Sequence, residues 1–347
     1  MRYLNRFYGL VGLAVCSILF SAWSLKTYRD RWSLTNSNKY GEITELSPSL
    51  VVFGDSWSDN SVVDETGRGQ VWTEWLCSQF LCRHENLAES WPGSQGLRSG
   101  SVVDNNELGA FGASEWSTSP LPDLKSQIQQ WVLQDERTIQ DFTDREKAVR
   151  RNNTIHVVSF GVWDIWHLIG QDLDSAKSSA ERSVNALFDQ LQSLADKWDP
   201  LELKIILTLT ADLSFLPGFK PTADNHKKTV ALVEHWNTQV RNKAEDWERG
   251  TIFLFDTNSF MLDQIRERQL YVAGLNDEAD PEQTESTDWQ DVSNSCVKNN
   301  GTADESCSSP EQFLFWDDMH FGPSAHKLMG VEIFESVNWL WLSGKET

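Results

Sequence analysis

Positive charge is scarce in this chain. Thirty Lys and Arg stand against 51 Asp and Glu over 347 residues, a formal net charge of −21. A surface this acidic does not build a polyanion-binding face, so nucleic acid is excluded as a partner, and anionic lipid headgroups are repelled. Cysteine is sparse as well: there are five, none in a Cys-x-x-Cys pair and none beside a pair of histidines. That argues against a zinc site, and no metal is expected. No segment repeats at a fixed period. What the chain does have is enough apolar material for a core, 39% of residues, and an unusual 17 Trp against five Tyr. Tryptophan is bulky and amphipathic, so this excess implies a thick core or an aromatic-lined binding surface.

One long apolar run exists. Phe7 to Leu25 carries no charge over 19 residues. At about 1.5 Å per residue, such a helix just crosses a hydrocarbon layer of about 30 Å. Residues 1–25 are therefore expected to be a single-pass signal anchor, with a cleaved signal peptide ending near Ala22-Trp23-Ser24 as the alternative. Residues 26–48 are polar and suit a stalk. Cys16 lies inside the apolar run; Cys77, Cys82, Cys296 and Cys307 form an even set that suits an oxidising compartment. Of the three possible pairings, the two short loops Cys77–Cys82 and Cys296–Cys307 are expected. The first requires the helix starting near residue 70 to end around Phe80, because a continuous helix holds such residues beyond the ~7 Å limit. Asn152-Asn153-Thr154 and Asn300-Gly301-Thr302 are glycosylation sequons at Asn152 and Asn300. Together these features place the body in the secretory lumen or outside the cell, and secreted if the N-terminal segment is cleaved.

From residue 49 to 347 the pattern is α/β. Short apolar strands, Leu50–Phe53, Ile155–Phe160, Leu203–Leu209 and Ile252–Phe255, alternate with helical spacing near 70–80, 121–140, 175–197 and 224–248. A last helix opens after Pro323, a good first helical residue. This alternation predicts a doubly wound, flavodoxin-like parallel sheet with helices on both faces. Residues 274–312, with ten acidic residues against one Lys, are expected to be a surface insertion. In such sheets ligands bind beyond the carboxyl ends of the strands. Attention therefore falls on Gly54-Asp55-Ser56, Gly161-Val162-Trp163-Asp164 and Asp212.

A serine just past a buried strand presents its hydroxyl at the sheet edge, but it is a weak nucleophile until a base takes its proton. Among seven histidines only His320 stands in a dense motif, Trp316-Asp317-Asp318-Met319-His320. A carboxylate three residues before an imidazole meets it within one turn, as a catalytic histidine requires. Asp318 is expected to complement the dipole of the last helix.

Gly54-Asp55-Ser56-Trp57-Ser58-Asp59 near the start, with Asp317-x-x-His320 near the end, resembles the GDSL/SGNH hydrolase superfamily, above all fungal GDSL-like lipase/acylhydrolases and carbohydrate-esterase-like members. The resemblance spans about residues 49–342. It implies the SGNH hydrolase fold, with Ser56 as nucleophile, His320 as base, Asp317 as its partner and no cofactor. Asn86-Leu87-Ala88 matches the start of the family's second block, but the position of its oxyanion glycine falls on Trp91, leaving Gly93 as the nearest glycine. The family's third block is Gly-x-Asn-Asp; here Trp163 replaces the Asn, followed by Asp164. Gly93, Trp163 and Asp164 are thus the oxyanion or substrate-binding candidates, Trp163 being expected to shape the cleft rather than donate. Trp57, Trp91, Trp163, Trp166 and Trp316 flank these blocks and suggest a sugar-stacking or acyl-binding cleft. The reaction implied is ester hydrolysis through an acyl-serine, on an acetylated carbohydrate first and a lipid ester second. An impaired binding protein, motivated by Trp163, and an acyltransferase using the same triad remain as alternatives.

Overall fold

Every residue of Ser49–Gly54 is buried, which marks a strand covered on both faces. This is β1 of a computed structural model that describes residues 44–61, 68–91, 99–107, 120–198, 203–275, 289–299 and 304–343. In chain order there follow α1 (Trp72–Phe80), β2 (Arg83–Asn86), β3 (Ser90–Trp91), β4 (Ser99–Gly100), α2 (Leu124–Thr138), α3 (Asp144–Asn152) and β5 (Thr154–Ser159). Then come α4 (Val162–Leu168), α5 (Leu173–Lys197), β6 (Lys204–Leu209), α6 (Ala223–Glu245), β7 (Thr251–Asp256) and α7 (Thr257–Val272). The last part holds β8 (Asp291–Ser295), β9 (Val297–Asn299), β10 (Asp304–Ser306), β11 (Phe313–Phe315) and α8 (Pro323–Ser343).

The main sheet is parallel, in the order β2-β1-β5-β6-β7. Renumbered within the sheet this is 2-1-3-4-5, the flavodoxin-like order, with its topological switch point between β1 and β5. The four apolar strands expected from sequence are all present. The fifth, β2, has no apolar run; Arg83-His84-Glu85-Asn86 pairs as an edge through main-chain bonds alone. The helices bury apolar stripes against the sheet: Val184, Leu187, Leu191 and Leu194 of α5 are all buried, as their spacing implied. A buried Leu contributes roughly 1.5–3 kcal/mol relative to exposure.

Helix α1 ends at Leu81 in the left-handed region, φ 52°, and the reversal brings the Cα atoms of Cys77 and Cys82 to 5.1 Å. Both expected bridges, Cys77–Cys82 and Cys296–Cys307, are formed. The expected surface insertion differs from its description. Its described part is stitched into the body: Trp289 is buried, β8 pairs in parallel with β11, and the Cys296 and Val297 N–H groups donate to the Phe315 and Trp316 carbonyls. Acidic composition hid this, because the segment is anchored by a few side chains and by main-chain bonds.

Among the described residues no helix is long and apolar enough to cross a membrane. The expected anchor at residues 7–25, most of the stalk and Asn300 lie outside the described residues. Asn152 is exposed at the end of α3.

Replacing Cys296 and Cys307 together with serine is expected to cost roughly 2–3 kcal/mol of stability, the chain-entropy value for so short a loop. Urea unfolding would measure it, and a loss under about 0.5 kcal/mol would show that the brace does not depend on the bridge.

Candidate active site

β1 delivers the serine. Gln127 of α2, fully buried, clamps the strand's end: its Oε1 accepts from the Gly54 N–H and its Nε2 donates to the Gly54 carbonyl, both at 2.9 Å. The chain then makes one turn, in which the Asp55 carbonyl accepts from the N–H groups of Ser58 (3.0 Å) and Asp59 (3.1 Å). The Asp55 carboxyl accepts from the Trp57 N–H at 2.9 Å. Asn86, at the end of β2, braces the same turn by donating to the Ser58 carbonyl at 2.7 Å.

The loop from β11 into α8 delivers the histidine. Asp317 Oδ1 accepts from the N–H groups of Met319 and His320, both at 2.8 Å, which folds the loop back on itself. His320 Nδ1 lies 2.8 and 2.9 Å from the two Asp317 oxygens, and its Nε2 lies 2.7 Å from Ser56 Oγ. With an ionised carboxylate at Nδ1, that nitrogen carries the proton, and Nε2 is free to accept from the serine hydroxyl. Burial pushes the Asp317 carboxyl up, but the His320 charge, the hydrogen bonds from His320 and Met319 and the Arg68 charge outweigh it and hold the pKa down to about 2. Ser56 and His320 are both 0% exposed. Asp318, expected to complement the dipole of α8, accepts from Ser295 Oγ at 3.1 Å, and its carbonyl accepts from the Gly218 N–H.

The third element comes from the end of β5. Gly161 has φ 118°, and a Cβ there would lie 2.9 Å from Trp236 Nε1, so only glycine permits the sharp entry into α4. That entry aims Trp163 at the serine: its indole N–H donates to Ser56 Oγ at 2.8 Å. The indole, expected to shape the cleft, also reaches the nucleophile, because the short turn carries the longer side chain that far. Asp164 is fully buried and its Oδ1 accepts from the Val103 N–H at 3.1 Å. Of its two expected roles, structural hydrogen-bonder and oxyanion or substrate group, the structure shows the first, a tie on the segment after β4, and among the described residues no hydrogen bond to Ser56.

Gly93 lies outside the described residues. The glycine that approaches the serine is Gly100 of β4: a Cβ on it would meet Trp163 Nε1 and come within 2.6 Å of the Ser56 N. Ser56 N–H has no acceptor among the described residues. Sequence reasoning missed Gly100 because it lies in a Gly-, Ser- and Asn-rich stretch that reads as a loop, and its partner in the β3–β4 pair, Ser90, is ten residues away. Arg68, buried beneath the serine, was missed too. The tryptophans around the blocks belong mainly to the core: Trp57, Trp163 and Trp316 are buried and Trp166 is partly so, which removes them as a sugar platform. Asp212 caps a single turn by accepting from the Ser214 N–H and does not join the site. No cluster of three or more His, Cys, Asp or Glu among the described residues is arranged to hold a metal.

Burial raises the Asp55 carboxyl to about 8 and the Asp164 carboxyl to about 7, from an ordinary value of 3.8. Between pH 4 and 7 the folded protein therefore keeps a proton on Asp164 that the unfolded chain has lost, so this group lowers stability as pH rises through that window. Asp164→Asn is expected to flatten the decline in Tm from pH 5 to pH 8. An unchanged slope, measured by circular dichroism, would show that Asp164 is ionised in the fold.

A family model described as GDSL-like Lipase/Acylhydrolase matches residues 50–333. No curated protein matches the chain. Two solved structures align over most of it. One, at 11% identity and a TM-score of 0.39, covers 85% of this chain and 98% of its own. The other is Est24, a carbohydrate acetylesterase from Sinorhizobium meliloti, at 10% identity and a TM-score of 0.38, covering 85% of this chain and 100% of its own. Likeness at that level carries no argument about substrate.

Proposed function

The chain belongs to the GDSL-like lipase/acylhydrolase family and is an ester-hydrolysing enzyme, and on that premise we propose that it cleaves short-chain esters through an acyl-Ser56 intermediate. One observation carries this reading. Ser56 Oγ is held between a base, His320 Nε2 at 2.7 Å, and a fixed donor, Trp163 Nε1 at 2.8 Å.

In the proposed mechanism Ser56 Oγ attacks the ester carbonyl while its proton passes to His320 Nε2. The imidazolium so formed is stabilised by Asp317, whose carboxylate stays ionised down to a pKa of about 2. The carbonyl oxygen becomes an oxyanion near Gly100, against which both the Ser56 nitrogen and the Trp163 indole nitrogen lie. As Oγ bonds to carbon it loses its hold on the indole N–H, which turns to the new anion. His320 then protonates the departing alcohol, and a water deprotonated by the same nitrogen releases the acid. The absence of a Cβ on Gly100 supports this, since a methyl group would occupy the oxyanion's place.

Gly100 packs so closely on the Trp163 indole and the Ser56 nitrogen that little room is left beside the nucleophile, which supports a small acyl group. A net charge of −21 disfavours anionic lipid surfaces. An acetyl ester is therefore the proposed substrate class, with an acetylated carbohydrate placed ahead of a lipid ester. The two disulfides support a body on the lumenal or outer side of the secretory membrane.

Ser56→Ala and His320→Ala are each expected to abolish hydrolysis of p-nitrophenyl acetate, the double variant being no worse, because the residues act as a unit. Wild-type protein should label with a fluorophosphonate; failure to label, with no turnover, would mark a binding protein. Product that appears only with an added acceptor alcohol would mark an acyltransferase.

Trp163→Phe keeps the ring and deletes the N–H. It is expected to lower kcat about 10²-fold, the usual loss for one oxyanion donor. A change under about threefold would remove the indole from the reaction. Acetyl esters and acetylated sugars should outpace long-chain p-nitrophenyl esters at least tenfold in kcat/KM, and the reverse order would point to a lipid substrate.

A further inference from the structure

Arg68 is only 2% exposed, and the reaction above makes no use of it. Its two terminal guanidinium nitrogens donate to the carbonyls of Ser56 (3.1 Å) and Asp59 (2.8 Å). These carbonyls face out of the single turn that carries the nucleophile, so the guanidinium caps that turn from below. The next residue, Gly69, has φ 77° and passes so close to Pro323 that an added Cβ would lie 3.2 Å from the proline Cβ. Four residues on from Arg68, the Trp72 N–H donates to His326 Nδ1 at 3.3 Å. The stretch from Arg68 to Trp72 therefore grips the Ser56 turn at one end and the first turns of α8, which follow His320, at the other.

A buried guanidinium needs compensation. Its carbonyl partners supply part, and the Asp55 and Asp317 carboxyls interact with its charge. The titratable groups around the Ser56–His320 pair are Asp317 on the histidine's own loop, Asp55 and Asp59 on the nucleophile turn, Asp164 of α4, which acts electrostatically on Asp55, Arg68 and, from α8, His326. His326 is fully buried, and burial above all, with the Arg68 charge, pushes it well below the ordinary imidazole range, so it adds no second cation.

We propose that Arg68 is a positioning residue for the Ser56–His320 pair. Its fork holds the nucleophile turn, the stretch from Gly69 to Trp72 ties that turn to the start of α8, and its charge, held at the Ser56 carbonyl, opposes protonation of the His320 that Ser56 Oγ meets. This rests on the serine mechanism above.

The test compares Arg68→Gln, which loses the charge, with Arg68→Lys, which keeps it, using p-nitrophenyl acetate from pH 5 to 9 and circular dichroism for the fold. Arg68→Gln is expected to lower kcat at least tenfold with KM within about threefold. With the cation gone, a protonated imidazole is easier to form, so the acid limb of kcat/KM moves to higher pH by about half a unit or more. Arg68→Lys should leave that limb in place and recover part of kcat. An unmoved limb in folded Arg68→Gln overturns the proposal whatever happens to kcat. So does the unfolding of both variants, which would make Arg68 a structural residue alone. Ser56→Ala run alongside keeps the two readings apart: full turnover there removes the serine mechanism itself.

Discussion

The 2.7 Å contact between Ser56 Oγ and His320 Nε2 joins residues 264 apart in sequence, and the rest of the molecule is arranged to hold it. A hydrogen bond of this kind contributes about 1 kcal/mol net and cannot by itself hold two loops from opposite ends of a chain. The restraint comes from elsewhere. Gln127 pins the end of β1, Asn86 braces the nucleophile turn, and β8 and β11 tether the loop that carries His320. Each of these acts through main-chain groups, so each fixes backbone position and leaves the side chains free for chemistry.

Burial shapes the electrostatics of the same region. Water is excluded from Ser56 and His320, so a carboxylate there keeps its charge only where donors face it. Asp317 has two N–H donors and an imidazole and stays ionised. Asp55 and Asp164 have weaker compensation and are pushed toward neutrality, to about 8 and about 7. Three nearby aspartates thus differ in charge state because their partners differ. That keeps the ionised carboxylate of Asp317 at the imidazole, where a developing positive charge benefits from it.

Trp163 and Gly100 are complementary departures from the usual block pattern. An indole is far larger than a carboxamide, and it fits over the serine only because the strand facing it carries no Cβ at Gly100. The bulk of the donor is matched by the smallness of its neighbour, and the two pack directly beside the buried serine.

The alternation of apolar strands and helical spacing was enough to determine the doubly wound class. Residues that bury both faces of a strand must be apolar, and Leu50–Phe53, Ile155–Phe160, Leu203–Leu209 and Ile252–Phe255 announce themselves that way. The edge strand β2 and helices α3, α4 and α7 carry weaker patterns and were not anticipated. Ser56, Asp317 and His320 were legible because each lies in a local motif whose spacing mirrors a local turn. Both disulfides were legible because each pair is close in sequence. Tertiary structure alone decided the roles of Trp163, Gly100, Arg68 and Gln127, the tie made by Asp164, and the bracing work of residues 289–316. Their partners are 10 to 107 residues away in chain position, and a contact across such a distance leaves no periodicity to read, since it depends on where the sheet's switch point brings the strand ends together.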